Sequence, residues 1–138
     1  MKEIKEYNNP WLYKNEIFES NNINDFIGFV YMITNKVTGK KYIGKKLLTM
    51  TKIKQIKGKK KKNKVESLWK NYYGSSTTLK KDIQILGEQN FSREILHLCK
   101  TKSILSYMEL KEQIERKVLE SEEYYNDWIM VRIRKINL

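Results

Sequence analysis

Thirteen lysines and no carboxylate lie between Asp25 and Glu66: Lys36, Lys40, Lys41, Lys45, Lys46, Lys52, Lys54, Lys57, Lys59, Lys60, Lys61, Lys62 and Lys64. Ammonium groups at this density neutralise a polyanion, and each one that meets a phosphate of duplex DNA adds about 0.9 to the salt dependence of binding. They exceed the whole formal net charge of +12. The basicity is therefore a local device and not a uniform solubilising coat, which favours nucleic acid as the partner. Two tyrosines, Tyr31 and Tyr42, stand eleven positions apart in the same part of the chain, and Glu109, Glu112 and Glu115 come much later. One cysteine, Cys99, and one histidine, His97, cannot assemble a structural zinc site, and a lone thiol fits a reducing, intracellular setting.

The scaffold that holds these residues in place can be read from pattern. At 138 residues, with 40% hydrophobic, 12% aromatic and 32% charged residues, the chain supports one small domain. No apolar run approaches the ~20 residues of a membrane span, and the first residues lack an apolar signal core, so a soluble, cytoplasmic protein is expected. Residues 1–25 read as an N-terminal arm with Trp11, Tyr13 and Phe18, and residues 26–138 as the domain proper. Gly28 to Thr34 is β-branched and aromatic, Asn35 to Gly39 has turn chemistry, and Lys40 to Gly44 resumes an extended pattern, which predicts a β-hairpin. Leu47 to Ile56 is compatible with a short helix, and the self-repelling lysines of about 52–66 predict a mobile loop. Ser76 or Thr77 caps a helix that Gly87 terminates, with Leu79, Ile83 and Leu86 on one face. Phe91 to Cys99 reads as a third strand, and Ser103 to Leu119 as a helix carrying Glu109 close to its buried stripe. Tyr124, Tyr125, Asn126 and Trp128, then Arg132, Arg134 and Lys135, fit a short helix or a return strand. The fold class is α/β of the α+β kind.

Val30-Tyr31 ends one strand motif and Tyr42-Ile43-Gly44 occupies the next, with Thr34-Asn35 and Gly39-Lys40 between them. Then come Trp69, Tyr72-Tyr73-Gly74-Ser75-Ser76, Phe91 to Leu96, Glu109, and Tyr125-Asn126. This order resembles the GIY-YIG nuclease superfamily, and with Asn9-Pro10-Trp11 it looks like the small free-standing endonucleases of that superfamily that bacteriophages encode. The resemblance covers nearly the whole chain. It implies a three-stranded antiparallel sheet flanked by helices, cleavage of DNA phosphodiesters, two working tyrosines, and Glu109 as the ligand of Mg²⁺ or Mn²⁺, with Asn126 at a late polar position near it. One departure stands out: the superfamily places an arginine about ten residues after the second tyrosine, where this chain has Lys52, and lysine lacks the planar bidentate fork. The first arginine anywhere is Arg93. The catalytic cation is open among Lys52, Lys45, Lys46 and Arg93.

Phosphodiester hydrolysis needs a nucleophilic water, neutralisation of charge on the phosphate and protonation of the leaving oxygen, and one hard divalent cation on one carboxylate supports the last two. The expected roles are Tyr31 as general base and Tyr42 as supporting phenol, the base requiring cations that favour its phenolate. Residues two apart share a strand face, so Tyr42, Gly44 and Lys46 lie together, with Gly44 leaving room for a phosphate backbone. Nucleic-acid contacts are expected from Lys45, Lys57, Lys59, Lys60, Lys61, Lys62 and Lys64, and from Tyr73, Ser75 and Asn126. Cutting both strands would invite a homodimer. The alternative from another class is a catalytically idle basic module on the same fold, which binds nucleic acid and ignores metal.

Overall fold

A computed structural model describes residues 6–132 and 135. Its strands are β1 (Leu12–Tyr13), β2 (Glu16–Ile17), β3 (Gly28–Asn35), β4 (Lys41–Leu47), β5 (Thr49–Ile56), β6 (Lys59–Glu66) and β7 (Phe91–Cys99), and its helices are α1 (Thr77–Leu86) and α2 (Lys102–Glu115). The expected hairpin is β3–β4, closed by Asn35, whose side-chain oxygen accepts from the backbone N–H of Val37 and of Thr38 at 3.0 and 3.3 Å. Strand β7 pairs antiparallel with the other side of β3, which completes the expected three antiparallel strands. The sheet is larger than that, in the order β2-β1-β7-β3-β4, because Leu12 and Tyr13 pair in parallel with Glu94 and Ile95 of β7. The architecture is α+β, and among the described residues no helix is long and apolar enough to cross a membrane.

Alternation along β3 feeds two cores. Phe29, Tyr31 and Ile33 join Trp11, Phe18, Trp69, Leu79 and Phe91 on one face, while Val30 joins Ile43, Cys99, Leu105 and Val118 on the other. The N-terminal segment is built into the first core: Trp11 is fully buried, its ring stacks on Tyr31 with centroids 5.1 Å apart, and its Nε1–H donates to the Trp69 carbonyl at 2.9 Å. Arg93 fastens it further. Its guanidinium, buried between the rings of Trp11 and Tyr73, donates to the carbonyls of Asn8, Asn9 and Tyr72 at 2.6–3.2 Å.

Both helices start on capping side chains. Ser76 accepts from the Leu79 N–H at 3.2 Å, as the sequence predicts, and Thr101 accepts from the Ile104 N–H at 3.1 Å. Gly87, with φ 90°, ends α1. Helix α2 stops at Glu115, short of the expected Leu119, because Lys117 turns left-handed with φ 55°. Val118 N–H then donates to the Gln113 carbonyl and Lys117 N–H to the Ile114 carbonyl, a Schellman closure. Val118, read as part of the helical stripe, is the buried residue that this closure folds back.

The largest correction concerns residues 49–66. Neither the short helix over Leu47 to Ile56 nor the mobile loop over about 52–66 is formed; β5 and β6 make a separate two-stranded antiparallel ribbon. Its tip is Lys57-Gly58, both with positive φ (51° and 76°), which is the two-residue turn whose twist suits a hairpin. Its root is held by Ser67, whose N–H donates to the Leu48 carbonyl at 2.8 Å.

The tail is an extended segment along the free edge of β4. Lys41 N–H donates to the Glu123 carbonyl at 2.8 Å and Tyr125 N–H to the Lys41 carbonyl at 2.7 Å, a parallel bridge that covers part of an exposed edge. Arg134, read as part of this tail, lies outside the described residues. Replacing Arg93 by methionine should leave several buried carbonyls without donors and lower the free energy of unfolding by about 3 kcal/mol in urea titrations. An unchanged midpoint would show that the arm is not fastened this way.

Candidate active site

The register of the hairpin decides which side chains meet. Tyr31 pairs with Gly44 and Ile33 with Tyr42, so both tyrosines project from one face, ring centroids 6.1 Å apart. A side chain at 44 could not coexist with this arrangement: a Cβ there would lie 2.7 Å from Cζ of Tyr31. Gly44 thus makes room for the Tyr31 phenol, a nearer reason for the glycine than the approach of a phosphate.

A pocket of about 150 Å³ opens there, lined by Tyr31, Tyr42, Lys45, Ser75, Glu109 and Gln113, with Trp128, Ile129 and Met130 as an outer wall. Tyr42 and Ser75 share a hydrogen bond of 3.0 Å. Glu109 projects from α2, its side chain only 13% exposed, with Lys45 Nζ 3.9 Å from its Oε1. That ammonium also donates to Ser106 Oγ at 2.8 Å, so two residues one turn apart on α2 hold it.

Gln113 lies one turn beyond Glu109. Its Nε2–H donates to the Ile43 carbonyl at 3.2 Å, which fixes the orientation of the amide and leaves Oε1 buried with no partner among the described residues. Asn126 grips the backbone of the same residue on both sides: its Nδ2–H donates to the Ile43 carbonyl at 2.8 Å and its Oδ1 accepts from the Ile43 N–H at 3.0 Å. With both ends engaged and the residue buried, Asn126 positions β4 instead of presenting its amide to a ligand.

Burial sets the titration of the site. The Tyr31 phenol, 1% exposed, is pushed well above its ordinary value of 10.0 by desolvation, with the negative charge of neighbouring groups, Glu109 among them, adding to the shift. Tyr42 is raised for the same first reason, with the Ser75 hydrogen bond opposing. Desolvation also raises the Glu109 carboxyl above 4.5, and Lys45 opposes it. Among the described residues no group of three or more His, Cys, Asp or Glu could hold a metal ion. A cation here would have one lining carboxylate, Glu109, and the Gln113 oxygen is a neutral acceptor in the same lining.

The other expected site residues lie elsewhere. Lys46 sits with its ammonium 4.5 Å above the Tyr72 ring and lines a neighbouring cavity with Lys45 and Lys102. Lys52 is not at the start of a helix; it is an exposed residue of β5, opposite Asn63, and does not line the pocket. Arg93 is spent on backbone carbonyls. Tyr73 packs on Arg93 and accepts from Asn9 Nδ2–H at 3.2 Å, away from the pocket, and Lys57, Lys59, Lys60, Lys61, Lys62 and Lys64 stand on the ribbon. Reading the sequence missed the Trp128–Met130 wall and the two-amide grip on Ile43. Gln113, one turn after Glu109, is a sequence signal that bears on the grip.

The register of β3 and β4 thus puts the two tyrosines on one face, and the pocket they line also contains one helical carboxylate, Glu109. The family model described as "Putative endonuclease segE, GIY-YIG domain" matches residues 11–129, and the chain belongs to this GIY-YIG family. Among curated proteins, the "Putative endonuclease segE" of Enterobacteria phage T4 is 37% identical over 98 residues, which cover 71% of this chain and 39% of that protein. The chain therefore spans well under half the length of that relative. No solved structure matches.

The raised carboxyl has a consequence for stability. In the unfolded chain Glu109 ionises near 4.5, in the folded chain only at higher pH, so ionisation costs stability as pH rises through the folded value. Glu109→Gln removes that cost: its unfolding midpoint at pH 7 should exceed that of the parent, and the gain should shrink toward zero below pH 4.5. Thermal melts at both pH values check this, and a variant less stable at pH 7 would contradict it.

Proposed function

We propose that the chain is a divalent-metal-dependent endonuclease that hydrolyses DNA phosphodiesters at the Tyr31, Tyr42 and Glu109 pocket. The observation that carries this reading is the convergence of those three side chains and Lys45 on one pocket from both faces of the sheet. A buried carboxylate costs stability, and its retention beside two desolvated phenols fits a site kept for chemistry.

Glu109 and the Gln113 oxygen are the groups that would hold Mg²⁺ or Mn²⁺, hard cations that accept oxygen donors and leave other positions to water and phosphate. When bound, the ion would neutralise charge on the phosphate and stabilise anionic oxygens near it. In the chain alone Tyr31 is a protonated phenol. It takes a proton from water only where cations lower its pKa; otherwise it donates a hydrogen bond, as does Tyr42, which Ser75 orients. Lys45 supplies the positive charge that the family assigns to an arginine. Its ammonium already lies against Glu109 and borders both the pocket and the cavity with Lys46 and Lys102, a basic path for a phosphate backbone.

Supercoiled plasmid incubated with the protein and Mg²⁺ or Mn²⁺ should be nicked or linearised. EDTA and Glu109→Ala should each abolish the reaction, and Tyr31→Phe and Lys45→Met should slow it by roughly a hundredfold or more. The idle-module alternative predicts the opposite: DNA binding indifferent to metal and no cutting under any condition.

A further inference from the structure

The β5–β6 ribbon carries eight of the lysines and takes no part in the pocket. We propose that it enters the major groove of duplex DNA with its two faces turned toward the opposite phosphate walls, an inference that rests on DNA being the substrate.

The register shows why a flat contact would not serve. Lys60 lies opposite Gln55, Lys62 opposite Ile53 and Lys64 opposite Thr51, so these lysines share one face. Lys59 and Lys61 alternate with them, and Lys52 lies opposite Asn63, which places those three on the other face. All six are exposed, and so is Ile53, at 61%. A ribbon laid on one surface would leave half of these charges in solvent. Standing between two rows of phosphates uses both sets, and the charge repulsion within each face is relieved at the same time.

The dimensions agree. Strands of eight residues extend about 26 Å at ~3.3 Å per residue. A major groove about 12 Å wide admits a two-stranded ribbon, and a minor groove of about 6 Å does not. The two-residue turn keeps the tip as narrow as the strands, with Lys57 on it. The acidic residue at the root, Glu66, is turned to other work: its carboxylate accepts from Ser20 Oγ–H at 2.7 Å and from Trp69 Nε1–H at 2.8 Å, tying the ribbon to the core.

The test is binding of the full chain to a duplex in EDTA, where no cutting interferes, measured by fluorescence anisotropy across a salt series. The triple variants Lys60→Gln/Lys62→Gln/Lys64→Gln and Lys52→Gln/Lys59→Gln/Lys61→Gln change only exposed side chains and should keep the parent's unfolding midpoint. Each should weaken binding at least tenfold and reduce the salt slope by up to about 2.7, at about 0.9 per phosphate contact. Methyl green, a major-groove ligand, should compete, and netropsin, a minor-groove ligand, should not. A loss confined to one face, competition by netropsin alone, or two silent triple variants would each overturn the groove proposal while leaving the nuclease reading intact. Failure of the parent chain to bind any duplex would sink both.

Discussion

The backbone of one residue, Ile43, holds the site together. Ile43 is on the edge strand, so its N–H and C=O point away from β3 and would face solvent. Both are captured instead, the carbonyl by Gln113 and Asn126 and the N–H by Asn126. The consequence is geometric: the Gln113 bond fixes how α2 is rotated against β4, and since Glu109 shares a helix face with Gln113, it also brings Glu109 to Lys45. Tyr42 and Gly44 flank the captured residue in sequence. The backbone of a single edge residue therefore ties the carboxylate's helix to the strand that carries Tyr42, Gly44 and Lys45.

That placement works against stability at several points. Tyr31 is a phenol in an aromatic core, stacked on Trp11, with its oxygen over a glycine in mid-strand. Gly44 gives up side-chain packing in a strand to permit it. Glu109 is raised above its ordinary pKa by burial, and the Gln113 oxygen has no donor among the described residues. Each costs something that a purely structural design would avoid, and Tyr31, Glu109 and Gln113 all line one pocket. The compensation is the aromatic core around Trp11, Phe29 and Trp69, which the N-terminal segment completes. Arg93 makes that completion firm, so the arm is part of the support for Tyr31.

Local pattern made the hairpin, α1 with its Ser76 cap and β7 legible, since β-branched runs, a turn and a capping residue are each decided within a few residues. The tyrosines and Glu109 were legible through the same hairpin and the order of the motifs after it. The ribbon was not. Lysine repulsion argues against structure there, but alternate Thr, Ile and Val positions, a Lys-Gly turn and a complete backbone ladder suffice when both faces keep their charges in water. The early stop of α2 is not legible in the sequence because Val118 continues the apolar stripe while its backbone has already left the helix. The role of Asn126 is not legible either, because a covered edge is a long-range event that periodicity does not encode.

The missing arginine is best understood through the structure of positions 49–66. At the position where the resemblance implies an arginine, this chain has a strand, and Lys52 stands on the ribbon and does not line the pocket. Arg93, the first arginine in the chain, is consumed by carbonyls of the arm and of Tyr72. Among the described residues the positive charge lining the pocket is Lys45, one residue after Gly44 on the same edge strand and held by Ser106 and Glu109 of α2. An ammonium is a point charge that adapts to its partner, whereas a guanidinium imposes its own planar geometry. A pocket built on Lys45 thus depends for its orientation on α2, and α2 depends for its own on the backbone of Ile43.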